Sequence, residues 1–353
     1  MRDREDNMLA SPEAESRPWV VGVIETPAGR VPHVATRLTW RDRLGAMAMR
    51  WRIGRDRYKV APGLYAVGHP TGESPVLVTA NYKLSFDVLR EAMDGLDAWL
   101  LVLDTKGINV WCAAGKGTFG TEELVNRVVV TGVAQTLTGA TLILPQLGGP
   151  GVALHEVRRR TGLRVVYGPV YAADIPAFLT AGMHATPAMR RVRFGLWDRI
   201  VVIPVEVVHR FMPTFLAMVG FFLAAGVGRH GYHLAVVQWP GIAVAVWANF
   251  VMGLVLTPAL LPWLPGRSFA FKGAEAGVAT AVVLWWFAGY GVVEGLGVGL
   301  MSVAACSFFN LMFTGCTPYT SMSGVRRELR WAVPLQIAAA AVGLVAWLVA
   351  KWI

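Results

Sequence analysis

Trp99-Leu100-Leu101-Val102-Leu103-Asp104, followed five residues later by Asn109-Val110-Trp111-Cys112-Ala113-Ala114-Gly115-Lys116, decides the fold. An unbroken apolar run of strand length, a carboxylate and then small residues reads as a strand buried on both faces feeding a helix. The pattern repeats on either side. Val76-Leu77-Val78-Thr79 precedes an amphipathic stretch near residues 85–93, the run 140–144 ends at Pro145-Gln146-Leu147-Gly148-Gly149-Pro150, and the run 163–167 ends at Gly168-Pro169. Such alternation predicts βα units of an open α/β sheet, which binds ligands outside the carboxyl ends of its strands. The turns after Val78, Asp104, Leu144 and Tyr167 are therefore expected to converge on one crevice. Beyond the cysteine motif, Thr121-Glu122-Glu123-Leu124 is expected to open a helix running to about Gln135, with Thr121 as its N-cap.

Composition divides the 353 residues in two. The chain is 54% hydrophobic and 16% charged, and after residue 200 its acids are Glu206, Glu275, Glu294 and Glu328. Long apolar runs there predict five membrane spans, at about 211–228, 241–261, 276–294, 295–313 and 332–350. Residues 1–17 read as a flexible tail, 18–185 as the α/β domain, 186–210 as a basic linker and 211–353 as an all-α transmembrane domain. Arg190, Arg191, Arg193 and Arg199, then Arg267 and Lys272, then Arg326, Arg327 and Arg330 fall on one side of the spans; Arg229 and Lys351 fall on the other. By the positive-inside bias the first set, with the α/β domain, is expected in the cytoplasm. The same pattern accounts for the net charge of +10 without a nucleic-acid partner.

Cys112, Cys306 and Cys316 are too few and too scattered for a disulfide framework or an iron–sulfur cluster. Gly115-Lys116-Gly117-Thr118 is not a Walker loop, because Val110 stands where its first glycine belongs. Cys112 has two readings, a small buried hydrophobe or a ligand or nucleophile at a strand-to-helix junction. The crevice-facing junction, Lys116 four residues on and the small flanking residues favour the second. Lys116 also reads as a solvated surface lysine, and Trp111 as a pocket wall. The seven histidines show no metal-ligand spacing, so sulfur is the expected ligand for any metal. Cys306 reads as packing within a span, whereas Cys316, at a span's cytoplasmic end, stays open.

Asn109 to Lys116, continued by Gly117-Thr118-Phe119-Gly120, resembles the signature of the mercury-methylating corrinoid proteins. The likeness extends to 38–45 and 62–68, to 75–83, and to Thr317-Pro318-Tyr319-Thr320-Ser321 with Ser323-Gly324-Val325. The α/β domain also resembles, more distantly, the corrinoid domain of the corrinoid iron–sulfur protein of the acetyl-CoA pathway. These resemblances imply a Rossmann-like domain binding cobalamin or a related corrinoid, with Cys112 as lower axial ligand of cobalt and as the catalytic residue. Asn109, Val110, Trp111, Ala113, Ala114, Gly115 and Lys116 then orient the thiol. Thr79, Asn81, Gln146, Gly148, Gly168 and Pro169 are implied around the cofactor. The implied reaction passes methyl from cobalt to Hg(II) in a bacterial inner membrane. The implied partners are a ferredoxin-like protein with two [4Fe–4S] clusters, which restores Co(I), and a methyl-folate pathway protein. A corrinoid methyl carrier serving another acceptor, and a membrane sensor or transporter that binds a nucleotide, are the alternatives.

Overall fold

The structure, a computed structural model, describes residues 15–137, 139–229, 231–317, 320 and 322–353. Most of the 1–17 tail, His230, Pro318, Tyr319 and Ser321 lie outside the described residues. The chain forms two compact units, one within residues 15–192 and one over 193–353 with residues 50–52.

The first unit is built on a seven-stranded sheet of order β1-β2-β3-β5-β4-β6-β7. Its strands are β1 (Val20–Thr26), β2 (Gly29–Val34), β3 (Gly63–Val67), β4 (Val76–Ala80), β5 (Ala98–Leu103), β6 (Thr141–Leu144) and β7 (Arg164–Tyr167). β5, β4, β6 and β7 run parallel, in the register Val76↔Trp99, Val76↔Leu142 and Thr141↔Arg164. β3 joins β5 antiparallel, so the sheet is mixed. Strands β1 to β3 extend it beyond the βα units legible in the sequence.

The helices of this unit are α1 (Trp40–Arg50), α2 (Lys83–Ala92), α3 (Val110–Lys116), α4 (Thr121–Val130), α5 (Leu154–Thr161) and α6 (Ile175–Thr180). The pleat sends alternate strand residues to opposite faces. Val78, Leu101 and Leu142 pack with Ala113, Phe119, Leu124 and Val157. Leu77, Leu100 and Ile143 pack with Phe86, Leu89, Met93 and Phe178 on the other side. Helices thus cover both faces, and the neighbours β4 and β6 mark where the parallel strand order reverses.

Two helix boundaries depart from expectation. Gly120, not Thr121, is the N-cap of α4; the Thr121 hydroxyl instead accepts a hydrogen bond from the Ala153 N–H at 2.9 Å, holding α5 to α4. The helix ends at Val130, because Gly132 turns left-handed at φ 61° before a short separate turn, Val133–Thr136.

A charged cluster is buried between α1 and α2. Lys83 Nζ reaches Asp42 at 3.1 Å and Asp87 at 2.5 Å, while the fully buried Arg90 meets Asp87 at 2.7 Å and Asp42 at 3.1 Å. Burial alone pushes the Asp42 carboxyl upward, but two hydrogen bonds from Thr39 and the Lys83 charge bring it down to about 2. A carboxylate held below its unfolded value of about 3.9 stabilises the fold above that pH and stops doing so as pH falls through its folded value. The melting temperature is expected to fall between about pH 4 and pH 2. Asp42→Asn should lower stability at neutral pH and flatten that slope, read by thermal unfolding across the range.

The second unit comprises α7 (Leu196–Ala225), α8 (Gly231–Val251), α9 (Phe269–Ala288), α10 (Val292–Met312) and α11 (Met322–Val349). Among the described residues four segments are long and apolar enough to cross a membrane: Leu196–Ala225, Gly231–Leu260, Val292–Cys316 and Ser323–Val349. The expected span at 276–294 is instead α9, which starts earlier, carries Lys272 and Glu275, and stops at Gly289 with φ 63°. α9 packs closely on α10: a Cβ on Gly273 would lie 2.4 Å from the Cys306 carbonyl oxygen, and one on Gly277 would lie 2.6 Å from the Val303 Cα. Residues 196–210, read as linker, are the first turns of α7.

Candidate functional site

The carboxyl ends of β4, β6 and β7 open into a cleft of about 360 Å³ at the point where the strand order reverses. Thr79 closes it from β4, Leu144 and Pro145 from β6, and Gly168 and Pro169 from β7. Leu84, Ser85 and Val88 of α2 form one wall, and Asn109, Val110 and Trp111 stand at the mouth. Most of this lining is apolar, with a few hydroxyl and amide groups among it, as suits a large ligand with a polar rim.

α3 is positioned through the turn that leads into it. Asn81, 2% exposed, accepts at Oδ1 from the Thr105 N–H at 3.1 Å, the Thr105 hydroxyl at 2.9 Å and the Gly107 N–H at 2.9 Å. Its amide donates to Asp104 at 3.3 Å. These bonds hold Lys106 (φ 60°) and Gly107 (φ 73°) in left-handed geometry. Asn109 Oδ1 then accepts the Cys112 N–H at 2.9 Å and so caps α3. The helix stops at Gly117, φ 80°.

Its inner face is packed solid. Ala113 and Ala114 are buried, and the Phe119 ring fits against glycine: a Cβ on Gly148 would sit 2.6 Å from Phe119 Cε1, and one on Gly151 would sit 2.0 Å from the Phe119 carbonyl oxygen. The outer face carries the thiol. Cys112 is half-buried, and among the described residues its Sγ takes no hydrogen-bond partner; Trp111 is 37% exposed against the cleft, and Gly115 and Lys116 are exposed.

The structure thus brings Thr79, Asn109, Val110, Trp111, Gly168 and Pro169 to the cleft, with Cys112 one residue beyond the stretch of α3 that lines it. Asn81 ties the loop beneath α3. Gln146 accepts from the Arg190 guanidinium, and Gly148 underlies Phe119. Ala113 and Ala114 belong to the core. The α2 wall escaped the sequence reading, which marked that stretch only as amphipathic. Asn81→Ala strands the buried Thr105 amide and the half-buried Gly107 amide, an expected cost of roughly 2–4 kcal/mol. Thermal unfolding and faster hydrogen exchange at those two amides would register it.

Residues 44–179 match the family described as CO dehydrogenase/acetyl-CoA synthase delta subunit. That family binds a corrinoid, whose metal is cobalt. The acetyl-CoA decarbonylase/synthase complex subunit gamma of Methanopyrus kandleri is 32% identical over 127 residues, 35% of this chain and 27% of that protein. The corresponding subunit of Methanocaldococcus jannaschii is 31% identical over 122 residues, 34% of this chain and 25% of that protein. The chain therefore spans about a quarter of the length of the curated relatives it matches. The site suits such a cofactor, since the cleft is largely apolar and a soft sulfur donor stands on a capped helix beside it.

Proposed function

We propose that the chain is a membrane-anchored, corrinoid-dependent methyltransferase that delivers a methyl group to Hg(II), yielding methylmercury. The observation that carries this reading is the placement of Cys112: on a clamped helix, one residue past the stretch that lines an apolar cleft, in a sequence resembling the mercury-methylating signature. When bound, the corrinoid supplies a methyl group held on cobalt. Cys112 would ligate the cobalt, and as a metal-bound thiolate it would donate charge to the metal, which would favour delivery to an electrophile such as Hg(II). Asn109 and Asn81 hold the thiol-bearing helix in place. Trp111 and the α2 side chains Leu84 and Val88 give the cleft apolar walls, while Thr79, Gly168 and Pro169 bound its far side.

The three dispersed cysteines leave electron delivery to a partner, for which a ferredoxin-like protein with two [4Fe–4S] clusters is the candidate; a methyl-folate pathway protein is the candidate donor. The apolar helices would cross a bacterial inner membrane five times, α9 included, with the α/β unit in the cytoplasm as the basic loops argue. A second reading, a corrinoid methyl carrier with another acceptor, draws on the relatives' names, which place them in acetyl-CoA decarbonylase/synthase complexes.

Expression with cobalamin is expected to yield a coloured protein with stoichiometric cobalt and visible bands that shift in Cys112→Ala. A colourless, cobalt-free protein would overturn the corrinoid reading. Turnover of another acceptor with none of Hg(II), in the presence of reduced ferredoxin, would favour the carrier.

A further inference from the structure

α1 presents a ridge that nothing in its own unit covers. Trp40, Leu44 and Met47 recur at spacings of four and three. They therefore form one stripe along the helix, and they are 66%, 51% and 56% exposed. At 100° per residue, Arg41 falls on one flank of the stripe and Arg43 on the other. The opposite face is anchored: Asp42 in the buried charge cluster, Gly45 where a Cβ would lie 2.7 Å from the Tyr58 hydroxyl, and Met49 under the Tyr82 hydroxyl at 2.7 Å.

Asp42, the acid of this helix, turns inward to Lys83 and Arg90, so it offsets none of the outward charge. Residues 37–59 hold eight arginines and lysines against two aspartates. An apolar stripe edged on both sides by arginine is the pattern of a helix lying in a membrane interface, with long basic stems reaching sideways to phosphates.

We infer that α1 lies on an anionic bilayer surface, its Trp40, Leu44 and Met47 ridge seated among the lipids and its flanking arginines at their headgroups. A convex ridge with charge on both edges suits a planar lipid surface better than the groove of an acidic protein. The inference rests on the membrane reading above, because helices that cross a bilayer keep that surface at hand in the same molecule. Docked there, α1 passes its orientation to the cleft wall, since Lys83 opens α2 and Tyr82 lines the cleft.

The test is photocrosslinking of the full chain reconstituted in vesicles of phosphatidylcholine with phosphatidylglycerol, with p-benzoylphenylalanine at position 44 or 47. The same probe at Val345 in α11 reports insertion of the helical unit, and at Val129 in α4 it serves as the exposed, non-lipid control. Phospholipid adducts are expected at 44, 47 and 345 but not at 129. Those at 44 and 47 should fall severalfold in pure phosphatidylcholine or in Arg41→Glu/Arg43→Glu. Adducts at 345 with none at 44 or 47 would overturn the inference alone, as would crosslinks from 44 to another part of the chain or to a second copy. Absence at all three would overturn the membrane reading with it.

Discussion

Cys112→Ala is expected to bring methylmercury formation to background in cells that make normal amounts of the protein. The variant is clean because the structure gives the thiol no part in folding. Its Sγ has no hydrogen-bond partner among the described residues, the side chain is half-exposed, and the backbone N–H that Asn109 accepts is retained. Alanine is also the strongest helix former, so α3 should persist and the melting temperature should stay within about 2 °C. Cys112→His is expected to be nearly as poor, since a neutral imidazole brings no negative charge to a metal. Wild-type output from Cys112→Ala, measured as methylmercury per unit of protein, would remove the thiol from the mechanism.

The second large effect is on stability. Asp87 is 2% exposed and bonds to both Lys83 and Arg90, themselves 2% and 0% exposed. Removing it leaves two buried cations with the single carboxylate of Asp42 between them. Breaking a buried ion network in this way costs about 3–5 kcal/mol, far more than a surface pair is worth. Asp87→Ala should therefore lower the melting temperature of the α/β unit by about 10 °C, taking 2–4 °C per kcal/mol for a unit of this size. Adding Lys83→Met to Asp87→Ala should recover part of the loss by removing one stranded charge. Equal melting temperatures for wild type and Asp87→Ala would show that the cluster contributes nothing net.

The parallel half of the sheet was legible because strands buried on both faces are written as unbroken apolar runs, such as Trp99 to Leu103. Strands β1 to β3 were not. Gly29-Arg30-Val31-Pro32-His33-Val34 has neither a continuous apolar run nor a clean alternation, and β3 is specified by its long-range pairing with β5. In the second unit Arg199, Glu206, His209 and Arg210 made residues 196–210 read as a linker. The helix absorbs them by burying Arg199 and setting Glu206 beside Arg210 one turn on.

The convergence of four turns on one crevice followed from strand polarity alone, and the cleft lies there. What the sequence could not show was the division of labour within the motif. Asn81 bonds to groups 23 to 26 residues away, a link no local pattern encodes, so a loop clamp and a cofactor contact look alike in one dimension. Gly148 posed the same ambiguity, resolved by the Phe119 ring against it.

The two flanks of the cleft differ in how firmly they are rooted. The thiol-bearing turn springs from β5, the middle strand of seven, whose residues are all buried, whereas Gly168 and Pro169 follow β7, the outermost strand, whose residues are partly exposed. Marginal strands fray at far lower free energy than central ones. The β7 margin of the cleft is accordingly the less protected of the two, and its amides should exchange with solvent faster than those of β5.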